Sequence, residues 1–222
     1  MGNSIRSKLN VMTSYTISEI ESWDPFYRTN FINSLTGFKS VNLIGTVDAA
    51  NRLNLGIFSS IVHIGSNPPL IGYINRPLSS APHTLANIES RGVYTINHIH
   101  PGIVHQAHQT SAKFEAGVNE FEEVGLTPEF KVDIVAPFVK ESNIKYALSL
   151  EQIIPIKQNG TFLVIGNVLS IHIEKEIVFE DGFINLESVH SICNNGIDGY
   201  YRTELIDRYQ FAKPGIEPQK IK

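Results

Sequence analysis

A short part of the sequence groups side chains that bind anions. Ser59 and Ser60 follow the apolar run "LNLGIF", and Arg76, His83 and Thr84 come before or at the start of a helix-like segment. The first N–H groups of a helix have no partners within the helix, so hydroxyls and a cation beside them form a site for phosphate. The pattern therefore predicts that this part of the chain binds a phosphate-bearing ligand.

The residues just before these hydroxyls suit a flat ring. Asn54 and Gly56 interrupt an apolar strand-like run where backbone N–H and C=O groups can approach the polar rim of a ring such as that of FMN. Each feature also has an ordinary structural explanation: a strand-end turn for the two serines, a helix N-cap for Thr84 and a solvated charge for Arg76. On residue types alone, both interpretations stay open.

The surrounding sequence predicts strands that hold this segment. Six runs are strand-like: "SVNLIGTV", "RLNLGIFSSIVHI", "LIGYIN", "VYTINHI", "KYALSLEQIIPI" and "TFLVIGNVLSIHIEK". Turn-like "DAAN" and "KQNG" lie between neighbouring runs and indicate hairpins. With short helices between the strands, the order favours a β-dominated, closed antiparallel barrel. Neither a G-x-G-x-x-G turn nor a P-loop occurs, which disfavours a Rossmann-type nucleotide site.

Several short helices are predicted around these strands. Ser18 with Glu21 forms a capping-box pattern in a helical lead-in over residues 1–36. The segments "HTLANIESRG" and "NEFEEVG" each end at a glycine, Gly92 and Gly125, as helices commonly do. "HQAHQTSAKF" and "LESVHSICNNG" are also predicted to be helical, and residues 203–222 an extended tail.

The composition limits the class of protein. The chain has 222 residues, 42% of them hydrophobic, which is enough for one domain spanning residues 1–222. A net charge of −4 without a basic block disfavours nucleic-acid binding. No run of apolar residues reaches the length of a membrane span, about 20 residues. The single Cys193 and the polar "GNSIRSKLN" in place of a signal peptide predict a cytoplasmic protein.

A group of histidines offers a second kind of site. His98 and His100 would share one face of a strand, and His105 and His108 lie one helical turn apart, so four imidazoles would converge on a metal ion. The segment "HIHPGIVHQAH" contains no carboxylate, and such histidines are more often hydrogen-bonded surface groups. A histidine-liganded metal enzyme is therefore the less favoured alternative. Cys193, in a predicted helix, is interpreted as an inert thiol.

Five segments of the chain resemble a known family. The flavin reductase-like family of FMN-binding split barrels is similar, over about residues 26–201, in "GTVDAANRLNLGIFSSIVHIGSNPPLIGYINRP", "HTLANI", "VYTINHI", "NEFEEVGLTP" and "APFVKES". The matched motifs are N-x-A-P-x-S at 54–59, D-P-P at 67–69, [KR]-D-T-x-x-N-I at 83–88 and E-F-x-x-x-G-L at 120–126. The chain departs from the family pattern by having Gly56-Ile57 for Ala-Pro and Pro82-His83 for the Lys/Arg-Asp pair.

The resemblance implies a fold and a site. It implies a six-stranded antiparallel Greek-key barrel that forms a homodimer, with FMN at or near the subunit interface. Two groups of residues would hold the cofactor: the ring would lie against Asn54, Ile57, Ser59 and Ser60, and the phosphate would face Thr84 and Asn87 with Arg76 and His83 nearby. Because Pro82-His83 replaces a charged pair, the phosphate would be held with less fixed charge.

The resemblance also implies an activity. NADH or NADPH would transfer hydride to flavin, and the reduced flavin would serve a partner monooxygenase or another electron acceptor. The flavin ring carries this chemistry, so no catalytic base has to be identified in the sequence. An FMN-holding electron carrier without NAD(P)H turnover is the alternative from another functional class. Which nicotinamide is used, and whether FMN is a prosthetic group or a substrate, stay open.

Overall fold

Strands make up most of the regular structure. A computed structural model describes residues 12–221. The strands are β1 (Lys39–Ser40), β2 (Asn42–Val47), β3 (Leu53–Phe58), β4 (Ile61–Ser66), β5 (Pro69–Asn75), β6 (Val93–His98), β7 (Pro128–Lys131), β8 (Ile134–Val139), β9 (Ile144–Ile156), β10 (Thr161–Ile173), β11 (Ile192–Asn195) and β12 (Gly199–Arg202). The α-helices are α1 (Ile17–Ser22), α2 (Pro25–Leu35), α3 (Pro82–Arg91), α4 (Val104–Gln109) and α5 (Glu120–Val124), with single 3-10 turns at Pro101–Ile103 and Lys175–Ile177.

The main sheet closes on itself at one interrupted strand. Its order is β3-β2-β6-β9-β10-β5-β4, and all pairs are antiparallel. The two edge strands, β3 and β4, belong to one continuous run that is interrupted only at Ser59 and Ser60. This run pairs with β2 before the serines and with β5 after them. Counted as one strand, it completes a six-stranded barrel.

The predicted fold class is therefore confirmed. Three pairings of the main sheet join strands that are not consecutive in the chain, β2 with β6, β6 with β9 and β5 with β10, as in Greek-key topologies. The smaller sheets, β1-β11-β12 and β7-β8, lie outside this barrel. The two serines mark the point at which the continuous run changes partners: neither belongs to a strand, and the carbonyl of Ser60 makes the first hydrogen bond to β5, from the N–H of Ile74.

Apolar side chains of α3 pack against the strands of the barrel. One buried cluster includes Tyr73, Tyr94 and Leu148 of the barrel strands together with Leu85 and Ile88 of α3. The buried positions of α3 recur at helical spacing, so one stripe of the helix faces the sheet. Every residue of β2 is buried. This packing fixes the N-terminus of α3 close to β3.

Local sequence signals are confirmed at several element ends. Gly92 and Gly125 end α3 and α5 in the left-handed conformation, with φ of 70° and 71°. The "KQNG" turn joins β9 to β10, and Thr161 pairs with Ile156 across it. Gly160 in this turn has φ +70°, which a glycine adopts without steric cost.

Other local predictions are wrong. The capping box of the lead-in is formed by Thr16 and Glu19 rather than Ser18 and Glu21, because α1 begins at Ile17. The segment 186–196 is not helical: turns precede strand β11, which carries Cys193 and pairs with both β1 and β12. The strand β11 pairs with β1, which lies about 150 residues earlier in the chain. This long-range pairing outweighs the local preference for a helix.

The two ends of the described chain are largely exposed to solvent. Helices α1 and α2 have no buried residues. Residues 203–221 are almost entirely exposed and form one isolated bridge, between Tyr209 and Lys220. Among residues 12–221, no helix has the length and apolar character needed to cross a membrane.

Candidate functional site

The serines at the barrel closure open into a cavity of about 570 Å³. Its walls come from β3 and the serines after it, the first turn of α3 with the loop before it, and the segment that follows α4. The tip of the β9–β10 hairpin and the β11–β12 turn complete it. The cavity is large enough for a drug-sized ligand, since such pockets commonly span about 300–1,000 Å³.

Seven of the eight residues predicted from the sequence to bind a cofactor line this cavity. They are Asn54, Ile57, Ser59, Ser60, Arg76, His83 and Thr84. The eighth, Asn87, lies one turn further along α3 and lines a smaller neighbouring cavity instead. Residues separated by up to thirty positions in the chain are thus brought to one surface by the packing of α3 on the sheet.

Four buried polar side chains connect the strands to α3. The amide nitrogen of Asn54 donates to Thr46 over 3.1 Å and to Thr84 over 3.2 Å. The amide nitrogen of Asn87 donates to the same Thr46 hydroxyl over 3.0 Å. Because buried polar groups are costly when unpaired, these bonds hold the first turns of α3 in register with β2 and β3.

The start of α3 leaves donors free. The helix begins at Pro82, so His83 and Thr84 lie within its first turn rather than before it. Its N-cap, Ala81, makes no side-chain cap hydrogen bond. The N–H groups of His83 and Thr84 therefore have no capping oxygen, and they face an end of the cavity that also contains Arg76.

The charges around the cavity favour an anion at this end. Arg76 is exposed and forms no salt bridge within the described chain. Lys113, from the segment after α4, also lines the cavity. Among residues 12–221, no carboxylate forms a salt bridge with either cation, so both stay available to a phosphate.

One buried carboxylate, that of Glu120, also lines the cavity. Glu120 of α5 is 6% exposed, and its Oε2 accepts the N–H of Leu55 over 3.1 Å. Burial raises the pKa of Glu120 above its usual value, although the bond from Leu55 and the nearby His83 oppose the shift. This bond fixes the backbone of β3 between Asn54 and Gly56.

The four histidines of the alternative metal site do not converge. His98 bonds Ser191 (3.0 Å), His100 bonds the carbonyl of Glu141 (3.0 Å), and His108 bonds Tyr200 (2.8 Å). β6 ends at His98, so His98 and His100 do not share a strand face. Within residues 12–221, no group of three or more metal-binding side chains is arranged around a common point.

Sequence reasoning missed the part of the cavity that comes from distant segments. These residues include Thr110–Phe114, Asn159, Thr161, Asn194 and Tyr200. α4 ends at Gln109, earlier than predicted, which frees the following segment to line the cavity. The "NG" turn signal located the hairpin tip correctly, but only the barrel closure brings that tip to the site.

Comparison with known proteins identifies the family. Residues 36–186 match the flavin reductase like domain, so the chain belongs to the flavin reductase-like family. It is 43% identical to a structure from Shewanella frigidimarina assigned as a flavin reductase with a split barrel domain; the match covers 90% of this chain and 100% of that one, with a TM-score of 0.87. This likeness confirms the family resemblance found in the sequence.

More distant matches include one solved structure with the same fold and one protein that is similar in sequence. Nitrilotriacetate monooxygenase component B from Bacillus cereus is 23% identical, with a TM-score of 0.77 over 92% of this chain and all of that one. An uncharacterized protein of Aquifex aeolicus is 26% identical over 160 residues, covering 71% of this chain and 81% of that protein.

Proposed function

We propose that this flavin reductase-like protein binds FMN in the larger cavity and transfers hydride to it from a reduced nicotinamide cofactor. The observation that carries the proposal is the gathering of the seven predicted cofactor-binding residues on one cavity. Membership of the family supports the use of a flavin. When bound, the flavin ring supplies the hydride-accepting chemistry.

The first turn of α3 would hold the phosphate. Its uncapped N–H groups at His83 and Thr84 are directed as in other phosphate sites at helix N-termini. The Thr84 hydroxyl oxygen accepts from Asn54, so its own hydrogen is free to donate to a ligand. Arg76 adds the cation that a phosphate dianion requires.

The residues of β3 and the serines after it would hold the ring. Ile57 and Phe58 offer apolar surface, and the backbone at Ser59 and Ser60 has left one strand ladder before joining the next. The carbonyl of Ser60 accepts the N–H of Ile74 over 3.1 Å, whereas the N–H groups of Ser59 and Ser60 have no acceptor in the described chain and suit the polar rim of the ring. Glu120, through its bond to Leu55, keeps this stretch of backbone in place.

Absorbance and kinetics of the purified protein test the proposal. We expect a flavin spectrum after addition of FMN and gel filtration, and oxidation of NADH or NADPH faster than with free FMN alone. A protein that binds FMN but oxidises neither nicotinamide would be an electron carrier instead. A protein that retains no flavin and accelerates no oxidation would contradict both functions.

We also propose that the protein is a homodimer that works in the cytoplasm. Large apolar side chains are exposed on α2 and just after it, among them Phe26, Leu35 and Phe38, each more than 60% exposed. A second copy of the chain is an economical cover for such a surface. The reduced flavin, or its electrons, would pass to a partner monooxygenase or another acceptor.

A further inference from the structure

A second cavity of about 360 Å³ adjoins the larger one. Its walls are the turn between β2 and β3, one face of α3 and the loop before α5. Asn54, His83 and Glu120 line both cavities. A ligand that begins in the larger cavity can therefore continue into the smaller one past these three side chains.

The smaller cavity is lined by side chains whose hydrogen-bond acceptors have no donor among the described residues. Asn54 and Asn87 are 7% and 8% exposed, and both direct their amide nitrogens to Thr46. No described residue donates to the Oδ1 atom of either one. Glu120 is 6% exposed, and only its Oε2 receives a hydrogen bond from another described residue. None of these oxygens is a fully buried unpaired atom, so a ligand can reach them, and the cavity suits a ligand that donates O–H or N–H hydrogen bonds.

The charges of the smaller cavity disfavour a phosphate. Its arginine, Arg52, is already paired with Asp48, with Nε at 2.6 Å from Oδ2. Glu115, on the loop before α5, is exposed and forms no salt bridge within the described chain. With Glu115 and Glu120 against one neutralised arginine, an added phosphate dianion would meet like charge.

We propose that the smaller cavity binds the adenosine ribose of the hydride donor through its free diol, so that NADH is preferred to NADPH. The proposal rests on the hydride transfer proposed above. Each ribose hydroxyl donates one hydrogen bond, and a carboxylate beside a ribose is the common device for recognising NAD, whereas NADP sites supply an arginine for the 2′-phosphate. A 2′-phosphate removes one donor and adds negative charge beside Glu115.

Blocking the cavity tests the assignment directly. Ala86 is exposed on α3 and lines only the smaller cavity, so Ala86→Phe fills it without removing a buried contact. Glu89→Phe, on the same helix but outside both cavities, is the matched control. Calorimetry with FMN-loaded protein should show ADP-ribose binding at least tenfold more tightly than 2′-phospho-ADP-ribose. We expect Ala86→Phe to weaken ADP-ribose binding at least tenfold, and Glu89→Phe to leave it unchanged.

Kinetics separate this subsite from the proposed function. Ala86→Phe should raise the KM for NADH at least tenfold and leave FMN affinity and turnover of 1-benzyl-1,4-dihydronicotinamide, which has no ribose, unchanged. Glu115→Arg should shift the preference toward NADPH. An active protein whose ADP-ribose affinity is the same in Ala86→Phe, or which binds both probes equally, would overturn the subsite alone. A wild-type protein that reduces FMN with neither nicotinamide would overturn the proposed function.

Discussion

The side-chain nitrogen of Asn54 lies 3.2 Å from the hydroxyl oxygen of Thr84, thirty residues further along the chain. The bond joins β3, where the flavin ring is proposed to lie, to the first turn of α3, where the phosphate is proposed to lie. It also sets the direction of the Thr84 hydroxyl. The hydroxyl oxygen of Thr84 accepts the hydrogen bond from Asn54, so the hydroxyl hydrogen can donate to a ligand.

Replacing Thr84 tests the phosphate site. Thr84→Val keeps the shape of the side chain but removes the hydroxyl, and a hydrogen bond to a charged group contributes about 1.5–3 kcal/mol. FMN affinity should therefore fall by roughly ten- to a hundredfold. Riboflavin, which has no phosphate, should bind as before, and Thr84→Ser should retain FMN affinity. Fluorescence quenching titrations would measure FMN and riboflavin affinity for each protein; equal losses for FMN and riboflavin would indicate general damage to the site.

Arg76 should contribute a salt-dependent part of FMN affinity. It is exposed and has no carboxylate partner in the described chain, so Arg76→Gln should weaken FMN binding about three- to tenfold at low ionic strength. The difference should shrink as salt is raised, because exposed charges are screened. Arg52→Gln, which alters an arginine outside the larger cavity, is the control. A loss that is independent of salt would argue against a direct charge interaction.

The oligomeric state is a separate prediction. We expect light scattering at micromolar concentration, with FMN present, to give twice the mass of one chain. The exposed apolar residues of α2 are the physical reason, since patches of this kind usually mark an interface. A mass equal to one chain under these conditions would contradict the homodimer.

The sequence predicts elements that depend on local backbone preferences, but not elements that depend on pairing between distant segments of the chain. Gly92, Gly125 and the "KQNG" turn specify element ends through local backbone preferences, and these predictions are correct. Strand β11 was predicted to be helical, because its structure depends on pairing with β1 near the opposite end of the chain. No local signal contains that information.

The same distinction applies to the candidate site. The residues from Asn54 to Thr84 could be predicted because the segment itself holds the hydroxyls, the cation and the helix start. Lys113, Asn159 and Tyr200 could not, since only barrel closure and the end of α4 bring them to the cavity. The hypothesis of a histidine-liganded metal site is wrong for a related reason. Strand β6 ends at His98, and the rings of His98 and His100 form hydrogen bonds with different residues.

A glycine in the barrel provides a stability test away from the site. A Cβ added to Gly45 would lie 2.2 Å from the carbonyl oxygen of Pro137 and 2.7 Å from the hydroxyl of Thr95, inside a fully buried strand. Overpacking of this kind costs about 1–3 kcal/mol or more. Gly45→Ala should therefore lower the free energy of unfolding by at least that amount in urea. Gly65→Ala, whose new Cβ would find its nearest neighbour at 3.5 Å, should cost less than about 1 kcal/mol. Equal stabilities of the two variants would contradict the packing.

Acid sensitivity should depend on His98. Burial lowers the pKa of His98 to about 4, against an ordinary value of 6.5, and its Nδ1 bonds Ser191. The unfolded chain then binds this proton more readily than the folded one, so stability is complete above pH 6.5 and falls as the pH drops toward 4. A shift of this size corresponds to a loss on the order of 3 kcal/mol. His98→Asn preserves a hydrogen-bonding group near Ser191 but cannot titrate.

Urea unfolding of wild type and His98→Asn between pH 7.5 and pH 4 measures this contribution. Carboxylates also titrate in this range, so the informative quantity is the difference between the two proteins at each pH. We expect the wild type to lose more stability than His98→Asn as the pH falls through this window, while His105→Asn, at an exposed position on α4, follows the wild type. If His98→Asn loses stability in parallel with the wild type, the imidazole of His98 does not supply the acid sensitivity of the fold.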